Sequence, residues 1–285
     1  MLRTLFKQIL EKISWRLMNN ITYPSWLAYE PNLVPPLPLM RTEGIYVMEE
    51  WFRWAEEWSV LLRLFGGISF ESKVLEIGCG LGRIAFPLRY ILSAKGSYDG
   101  FEICEDKIKF LKSTYKTFHP NFNFIWANVH NTYYNPNGKI QAKDYTFPYN
   151  SNSFDLIYAA SVFTHMLPEA AENYFKEAAR VLRPAGRIVF SCFILDNYTP
   201  NQPRPLGFAR AGFNFDHHYK SYEENFAISN PDNPEEMTAY ALVYFEKLAS
   251  IAGLTIEKSV IGLWSGKNSN WISSQDLLIM TKDDS

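Results

Sequence analysis

The chain has 285 residues, of which 47% are hydrophobic and 16% aromatic, so a large packed core is available. Its formal net charge of −2 gives no electrostatic reason to expect nucleic acid as a partner, and we expect none. No apolar run reaches the roughly 20 residues of a membrane-spanning helix, and the first 20 residues lack the apolar block of a secretory signal. The cysteines form no CxxC pair, which predicts a cytoplasmic protein without a metal site or a disulfide framework.

The first predicted element is a helix within residues 1–20, whose apolar residues share one face while its basic residues lie elsewhere. One interpretation is a helix docked on the domain, and the other is peripheral contact with an anionic membrane surface. A link rich in proline follows between Pro31 and Pro38, and a second helix is predicted over residues 47–65. We therefore assign residues 1–70 to an N-terminal helical extension.

From residue 73 onward, predicted strands and helices alternate. The strands are expected at residues 74–77, 98–103, 122–127, 154–159 and 187–193. A helix over residues 169–182 begins beside Pro168, since proline is favoured in a first helical turn. Alternation of this kind implies an α/β fold with a parallel sheet, helices on both faces and ligands at the carboxyl ends of the strands.

The regular pattern stops after the fifth predicted strand. Residues 194–234 contain many proline, asparagine and aromatic residues, and a long segment without periodicity is often a lid or a binding segment. A helix is then expected over residues 235–252, followed by two closing strands at 255–261 and 275–281. Residues 71–285 are accordingly predicted to form one domain, with a substrate-capping insertion around 194–234.

The first strand runs directly into three glycines at alternating positions, Gly78, Gly80 and Gly82, before an apolar helix pattern. Because glycine tolerates positive φ and carries no Cβ, such a loop lets a nucleotide lie against the backbone. The dinucleotide pattern GxGxxG would need glycine where Arg83 stands, and the Gly-Lys-Ser/Thr ending of a P-loop is absent from the sequence. The loop therefore predicts a different nucleotide cofactor.

The spacing E-x-G-x-G-x-G over residues 76–82 resembles motif I of the class I S-adenosylmethionine-dependent methyltransferases. Three later segments resemble the same family in the same order: GFEI at 100–103, NSFDLIY at 152–158 and ARVLRPAGR at 179–187. The resemblance covers roughly residues 73–285. It implies a Rossmann-like, seven-stranded, mostly parallel sheet and S-adenosylmethionine as the cofactor.

The resemblance also assigns roles to single residues. Glu102 at the end of strand two would accept hydrogen bonds from both ribose hydroxyls, and Glu76 would lie near the cofactor's ammonium group. Asn128 stands where the family often has an aspartate on the adenine, while Arg83 either pairs with the cofactor carboxylate or is an exposed helix residue. The predicted cofactor-binding residues are Glu76, Gly78, Cys79, Gly80, Gly82, Arg83, Glu102, Ile103, Asn128, Val129 and Ser161.

His165 follows the fourth strand, beside the expected position of the methyl group. The ordinary pKa of histidine suits the removal of a proton from an alcohol or phenol, so His165 is the candidate catalytic base. Alternatively, His165 lines the cofactor pocket or orders the loop. Asp216, His217 and His218 are rival candidates for the base, unless they belong to an exposed loop.

These features predict a methyltransferase that acts by in-line displacement on an oxygen of a small-molecule, glycosidic or lipidic acceptor. The aromatic residues of the insertion favour an acceptor with an apolar or ring-bearing part. The Asn/Asp-Pro-Pro-Tyr motif of base-modifying amino methyltransferases is absent from the sequence, which argues against that substrate class. The alternative from another class is a non-catalytic S-adenosylmethionine-binding regulatory or scaffold protein, because a fold alone does not establish activity.

Overall fold

The computed structural model of the chain describes residues 30–200, 214–267 and 272–282. The chain divides into two compact units, residues 1–35 and residues 36–285. In the described part of the first unit, Pro31–Leu33 forms a single 3-10 turn. The predicted helix within residues 1–20, with its possible membrane contact, lies outside the described residues, as do residues 201–213 of the predicted insertion.

Seven of the described strands form one sheet, in the order β11-β12-β7-β6-β1-β2-β3. Their bounds are β1 Lys73–Ile77, β2 Ser97–Glu102, β3 Phe122–Trp126, β6 Phe154–Ala159, β7 Leu182–Cys192, β11 Leu254–Val260 and β12 Asp276–Lys282. Strands β3, β2, β1, β6 and β7 pair in parallel, while β12 and β11 are antiparallel to their neighbours. The predicted Rossmann-like fold with a mostly parallel seven-stranded sheet is confirmed.

Six described α-helices accompany the sheet. They are α1 Leu37–Met40, α2 Met48–Leu64, α3 Ala85–Leu88, α4 Glu105–Tyr115, α5 Pro168–Val181 and α6 Leu242–Ala252. Helix α2 is amphipathic, and its buried face includes Trp51, which meets Phe86 of α3 edge-on at 5.2 Å, and Trp58, whose ring centroid is 5.8 Å from that of Tyr158 on β6. Within the described residues, none of these helices is long and apolar enough to cross a membrane.

Two small sheets lie outside the central one. Strands β4 Val129–His130 and β5 Ile140–Gln141 are parallel, whereas β8 His217–His218, β9 Phe226–Ile228 and β10 Thr238–Tyr240 form an antiparallel sheet. The predicted helix over residues 235–252 therefore begins only at Leu242. Residues Thr238–Tyr240, which were predicted to be helical, instead form β10 and pair with β9. Ala241 has the extended backbone of the helix N-cap.

The boundary between units also differs from the predicted division at residue 70. Helix α2 belongs to the same compact unit as the sheet, because that unit begins at Pro36. Strand β1 lies between β2 and β6. The sheet therefore extends from β1 in one direction through β2 and β3, and in the opposite direction through β6 and β7. In parallel α/β sheets, ligands bind at the carboxyl ends of the strands beside such a switch point.

Gly82 provides a test of the packing behind the first loop. Its φ is +74°, and an added Cβ would lie 2.6 Å from Cδ2 of the fully buried Leu111 on α4. Gly253 has nearly the same φ of +73°, but nothing lies within 4 Å of its Cβ position. We predict that Gly82→Ala lowers the free energy of unfolding by about 2–5 kcal/mol, from backbone strain plus overpacking.

The matched variant Gly253→Ala should lose only the strain contribution, about 1–2 kcal/mol. Urea unfolding of both variants measures the difference. Equal losses would show that the contact between residue 82 and Leu111 does not constrain the loop.

Candidate active site

The glycine loop follows β1 and is held by the neighbouring strand. The backbone N–H groups of Gly78 and Cys79 both donate to the carbonyl oxygen of Phe101, at 2.9 and 3.0 Å. Gly78 and Gly80 have φ values of +70° and +51°, a region that few residues other than glycine adopt. Gly78 and Gly80 line a cavity, whereas Gly82 packs behind the loop against α4.

Glu102 closes the carboxyl end of β2 with a buried carboxylate. Its Oε2 accepts the N–H of Gly80 at 2.9 Å, and its Oε1 accepts the N–H of Cys104 at 2.9 Å. Each carboxylate oxygen can accept a further hydrogen bond. The side chain is therefore fixed in place and still able to bind two neighbouring hydroxyl groups, as a ribose presents.

Glu76 is buried beneath the loop and bound by two phenols. The hydroxyl groups of Tyr98 and Tyr158 both donate to its Oε2, the latter at 2.9 Å. Burial raises the pKa of Glu76 to about 8, although both phenols and the nearby Arg83 oppose that rise. At neutral pH the carboxyl group is therefore largely protonated, and a nearby cation would favour its ionised form.

Arg83 supplies a positive group to the same cavity. Its guanidinium carbon lies 4.7 Å from the ring centroid of Trp54, and its buried Nε has no hydrogen-bond partner. A buried donor without an acceptor is costly, so this nitrogen suits an anionic ligand group. The glycine cradle, the free acceptor positions of Glu102 and this unpaired donor together fit the ribose and the amino-acid carboxylate of S-adenosylmethionine.

The cavity has a volume of about 480 Å³, within the usual range for small-ligand sites. It is lined by ten of the residues predicted from the sequence: Glu76, Gly78, Cys79, Gly80, Arg83, Glu102, Ile103, Val129, Ser161 and His165. Gly82 and Asn128 lie outside its described lining. The backbone oxygen of Asn128 accepts the N–H groups of Lys139 and Ile140 at 3.0 and 3.1 Å.

His165 ends a 3-10 turn after β6, and both of its ring nitrogens have partners. Nδ1 lies 3.2 Å from the backbone oxygen of Glu235, and Nε2 lies 3.3 Å from the hydroxyl of Tyr134. Because a carbonyl oxygen only accepts hydrogen bonds, Nδ1 carries the proton and Nε2 presents a lone pair. Burial lowers the pKa of His165, which keeps the ring neutral and able to accept a proton.

The rival candidates do not reach the cavity. Asp216, His217 and His218 are exposed on and beside β8, and the Asp216 carboxylate accepts a hydrogen bond from Tyr198. Several lining residues escaped the sequence analysis: Glu43, Trp54, Lys107, Tyr134 and Glu235. They come from segments far apart in the chain, so no local spacing marks them as members of one site.

Comparison with known proteins identifies a methyltransferase domain within the chain. Residues 75–190 match the model of a methyltransferase domain. The chain is 29% identical over 125 residues to the tRNA N(3)-cytidine methyltransferase METTL2 of Bos taurus, and 28% identical over 126 residues to that of Mus musculus. These matches cover 43% of this chain but only 30% and 29% of the two relatives.

Solved structures share the fold at low identity. The PH0226 protein from Pyrococcus horikoshii OT3 covers 92% of this chain and 100% of its own, with a TM-score of 0.54 and 17% identity. A complex between the Haloferax volcanii Trm112 methyltransferase activator and the putative methyltransferase matches with a TM-score of 0.52 and 15% identity, covering 87% of this chain and 95% of the other. At these identities the likeness shows the fold alone.

The comparisons correct one expectation. The prediction that nucleic acid is excluded as a partner is wrong, because the two curated relatives are tRNA methyltransferases. The net charge of −2 describes the average field of the whole chain. It does not describe the local charge around an acceptor site, so it excludes no acceptor class.

The predicted enzyme class is confirmed, and with it the cofactor. The matching domain spans the glycine loop, the strand-two acid and the segment that carries His165. These parts line the cavity together with residues outside the match, such as Glu43 and Glu235. The chain therefore contains a methyltransferase domain, as its resemblance to the class I S-adenosylmethionine-dependent methyltransferases predicts.

Proposed function

We propose that the chain methylates an oxygen atom of a small-molecule, glycosidic or lipidic acceptor that enters the cavity beside His165. The observation that carries the proposal is the position of His165 in the cavity wall, where its Nδ1 lies 3.2 Å from the Glu235 carbonyl oxygen. A fixed lone pair on Nε2 is what a general base for a hydroxyl group needs. The surrounding wall, which includes Met166, Phe193 and Met237, suits an acceptor with an apolar part.

The cofactor side of the proposal uses four residues. Glu102 binds the ribose hydroxyls, Arg83 the amino-acid carboxylate and Glu76 the ammonium group, while the missing Cβ of Gly80 leaves room for the Glu43 carboxylate beside the loop. S-adenosylmethionine supplies the electrophilic methyl group when bound. The protein's own task is then alignment of the acceptor oxygen and removal of its proton.

On the acceptor side, the Tyr134 hydroxyl already occupies the lone pair of His165 Nε2. An acceptor hydroxyl either displaces it or donates to the Tyr134 oxygen while that phenol passes its proton to Nε2. In both cases the acceptor O–H bond breaks and an N–H bond forms on His165. The resulting imidazolium donates to the Glu235 carbonyl on its other side.

A second candidate acceptor is RNA, and the two curated relatives favour it. The matches span less than a third of those relatives, so they do not by themselves assign the acceptor of this chain. In this case the cavity wall around His165 would receive a single nucleotide.

We place the reaction in the cytoplasm because the three cysteines are free thiols.

The acceptor proposal is tested with tritiated S-adenosylmethionine and three separated cell fractions: small molecules, lipids and RNA. We expect label in the small-molecule or lipid fraction, with a base-stable bond to oxygen. His165→Gln should lower the rate of methyl transfer into that fraction about 100- to 10,000-fold, as expected for loss of a general base. The control His217→Gln changes an exposed histidine and should leave the rate unchanged.

Label confined to the RNA fraction would establish the second candidate instead. Label in the first two fractions that His165→Gln leaves at the wild-type rate would contradict the assigned base. Binding of S-adenosylmethionine by both variants, measured by calorimetry, confirms that the cofactor site is intact.

The assignment of Glu76 to the ammonium group predicts a pH-dependent affinity. In the free protein the pKa of Glu76 is about 8, so the group is protonated at pH 6–7, and a bound cation would ionise it. Binding then releases a proton, and affinity should increase with pH between 6 and 7 by up to about tenfold. Calorimetry measures this, with adenosine as a ligand that lacks the ammonium group.

Glu76→Gln keeps the hydrogen-bonding oxygen but cannot ionise, so its affinity should be independent of pH over this range. Adenosine should bind wild type equally well at both pH values. A pH dependence that persists in Glu76→Gln would assign the proton to another group.

A further inference from the structure

One wall of the cofactor cavity comes from a segment before α2, outside residues 75–190 that match the family model. Glu43 is the last residue of the 3-10 turn Arg41–Glu43, and Gly44 follows with a φ of +73°. The residues flanking this turn, Met40 and Ile45, are 0% and 1% exposed, and the N–H of Ile45 donates to the Met40 oxygen. These anchors hold Glu43 against the glycine loop.

The Glu43 carboxylate contacts both the loop and a lysine. Its Oε1 accepts the N–H of Leu81 at 2.9 Å and lies 3.1 Å from Nζ of Lys107. The two side chains of this ion pair are only 14% and 9% exposed. Since the N–H of Gly80 donates to Glu102, adjacent N–H groups of the loop bind two different carboxylates.

The Lys107 ammonium group interacts electrostatically with two carboxylates, those of Glu43 and Glu102. Burial opposes its charge, but Glu102 and Glu43 more than compensate and raise the pKa of Lys107, so the ammonium group stays charged. In the structure Lys107 is paired with Glu43. Glu102 instead accepts two backbone N–H groups and keeps an acceptor position on each oxygen.

We propose that Glu43 is a positioning residue for cofactor binding, which holds the Lys107 ammonium and thereby keeps the Glu102 carboxylate available to the ribose hydroxyls. Without Glu43, Lys107 turns to Glu102 and competes with the ribose for its oxygens. Glu43 is part of the wall of the 480 Å³ cavity, so a bound cofactor would lie beside the ion pair that it forms with Lys107. The inference rests on the cofactor part of the proposed function and on no property of the acceptor.

Calorimetry of the full chain tests this inference with two ligands, S-adenosylmethionine and adenosine. Adenosine carries the ribose without the amino-acid group, so a ribose effect must appear with both. We expect Glu43→Gln to weaken both ligands about tenfold, as for the loss of a charge-assisted hydrogen bond. The control Glu49→Gln removes the same charge from an exposed position in the first turn of α2 and should change neither affinity.

Two further backgrounds make the test specific. Adding Lys107→Met to Glu43→Gln removes the competing ammonium and should restore adenosine affinity to within about threefold of wild type. In a Glu102→Ala background, Glu43→Gln should cause no further loss. Thermal unfolding of each variant checks that the site is folded, and if Glu43→Gln does not fold, Glu43→Ala is measured in its place, with the same expected loss and the same rescue.

Three results would overturn the inference: unchanged affinity in Glu43→Gln, tighter binding in Glu43→Gln, or no rescue by Lys107→Met. Tighter binding would mean that Glu43 occupies space the cofactor needs. If wild type binds S-adenosylmethionine but methylates nothing in the three fractions, the acceptor proposal fails while this inference stands.

Discussion

The site depends on how the backbone N–H groups of the glycine loop are satisfied. Positive φ values turn these groups away from the regular pattern of the sheet, and a buried N–H without a partner costs about 1–3 kcal/mol. Gly78 and Cys79 donate to a carbonyl of β2, Gly80 to Glu102 and Leu81 to Glu43. The same bonds that stabilise the loop thereby bring two carboxylates to the rim of the cavity.

Several charged groups consequently share a small, largely buried volume. The positive charge of Lys107 balances the negative charge of Glu43 in an ion pair. Burial raises the pKa of Glu76 to about 8, so its carboxyl group is largely protonated and uncharged at neutral pH. The Arg83 guanidinium lies over the ring of Trp54, and its Nε has no hydrogen-bond partner. A ligand with a cationic group, an anionic group and a diol complements these side chains better than water does, because each of them then gains a partner. S-adenosylmethionine has this combination of groups.

The cofactor half of the site could be predicted from the sequence because its residues are local. Glu76, the glycines and Glu102 follow strand ends at short, regular distances, and strands of a parallel sheet bring such ends together. The glycines show the limit of the pattern: the missing Cβ of Gly82 makes room for Leu111 and that of Gly80 for Glu43, not for a ligand. Glu43, Tyr134 and Glu235 depend on contacts across more than 30 residues, which periodicity cannot reveal. Likewise, β10 replaces a predicted helical turn because it pairs with β9.

Crystallography of the chain with S-adenosylhomocysteine tests the central claim most directly. We predict both ribose hydroxyls on the Glu102 carboxylate, whose bonds from Gly80 and Cys104 are retained, and the amino-acid carboxylate on Arg83. Glu43 should remain paired with Lys107. A ribose bound away from Glu102, or a Glu43 side chain driven out of the cavity wall by the ligand, would contradict this account.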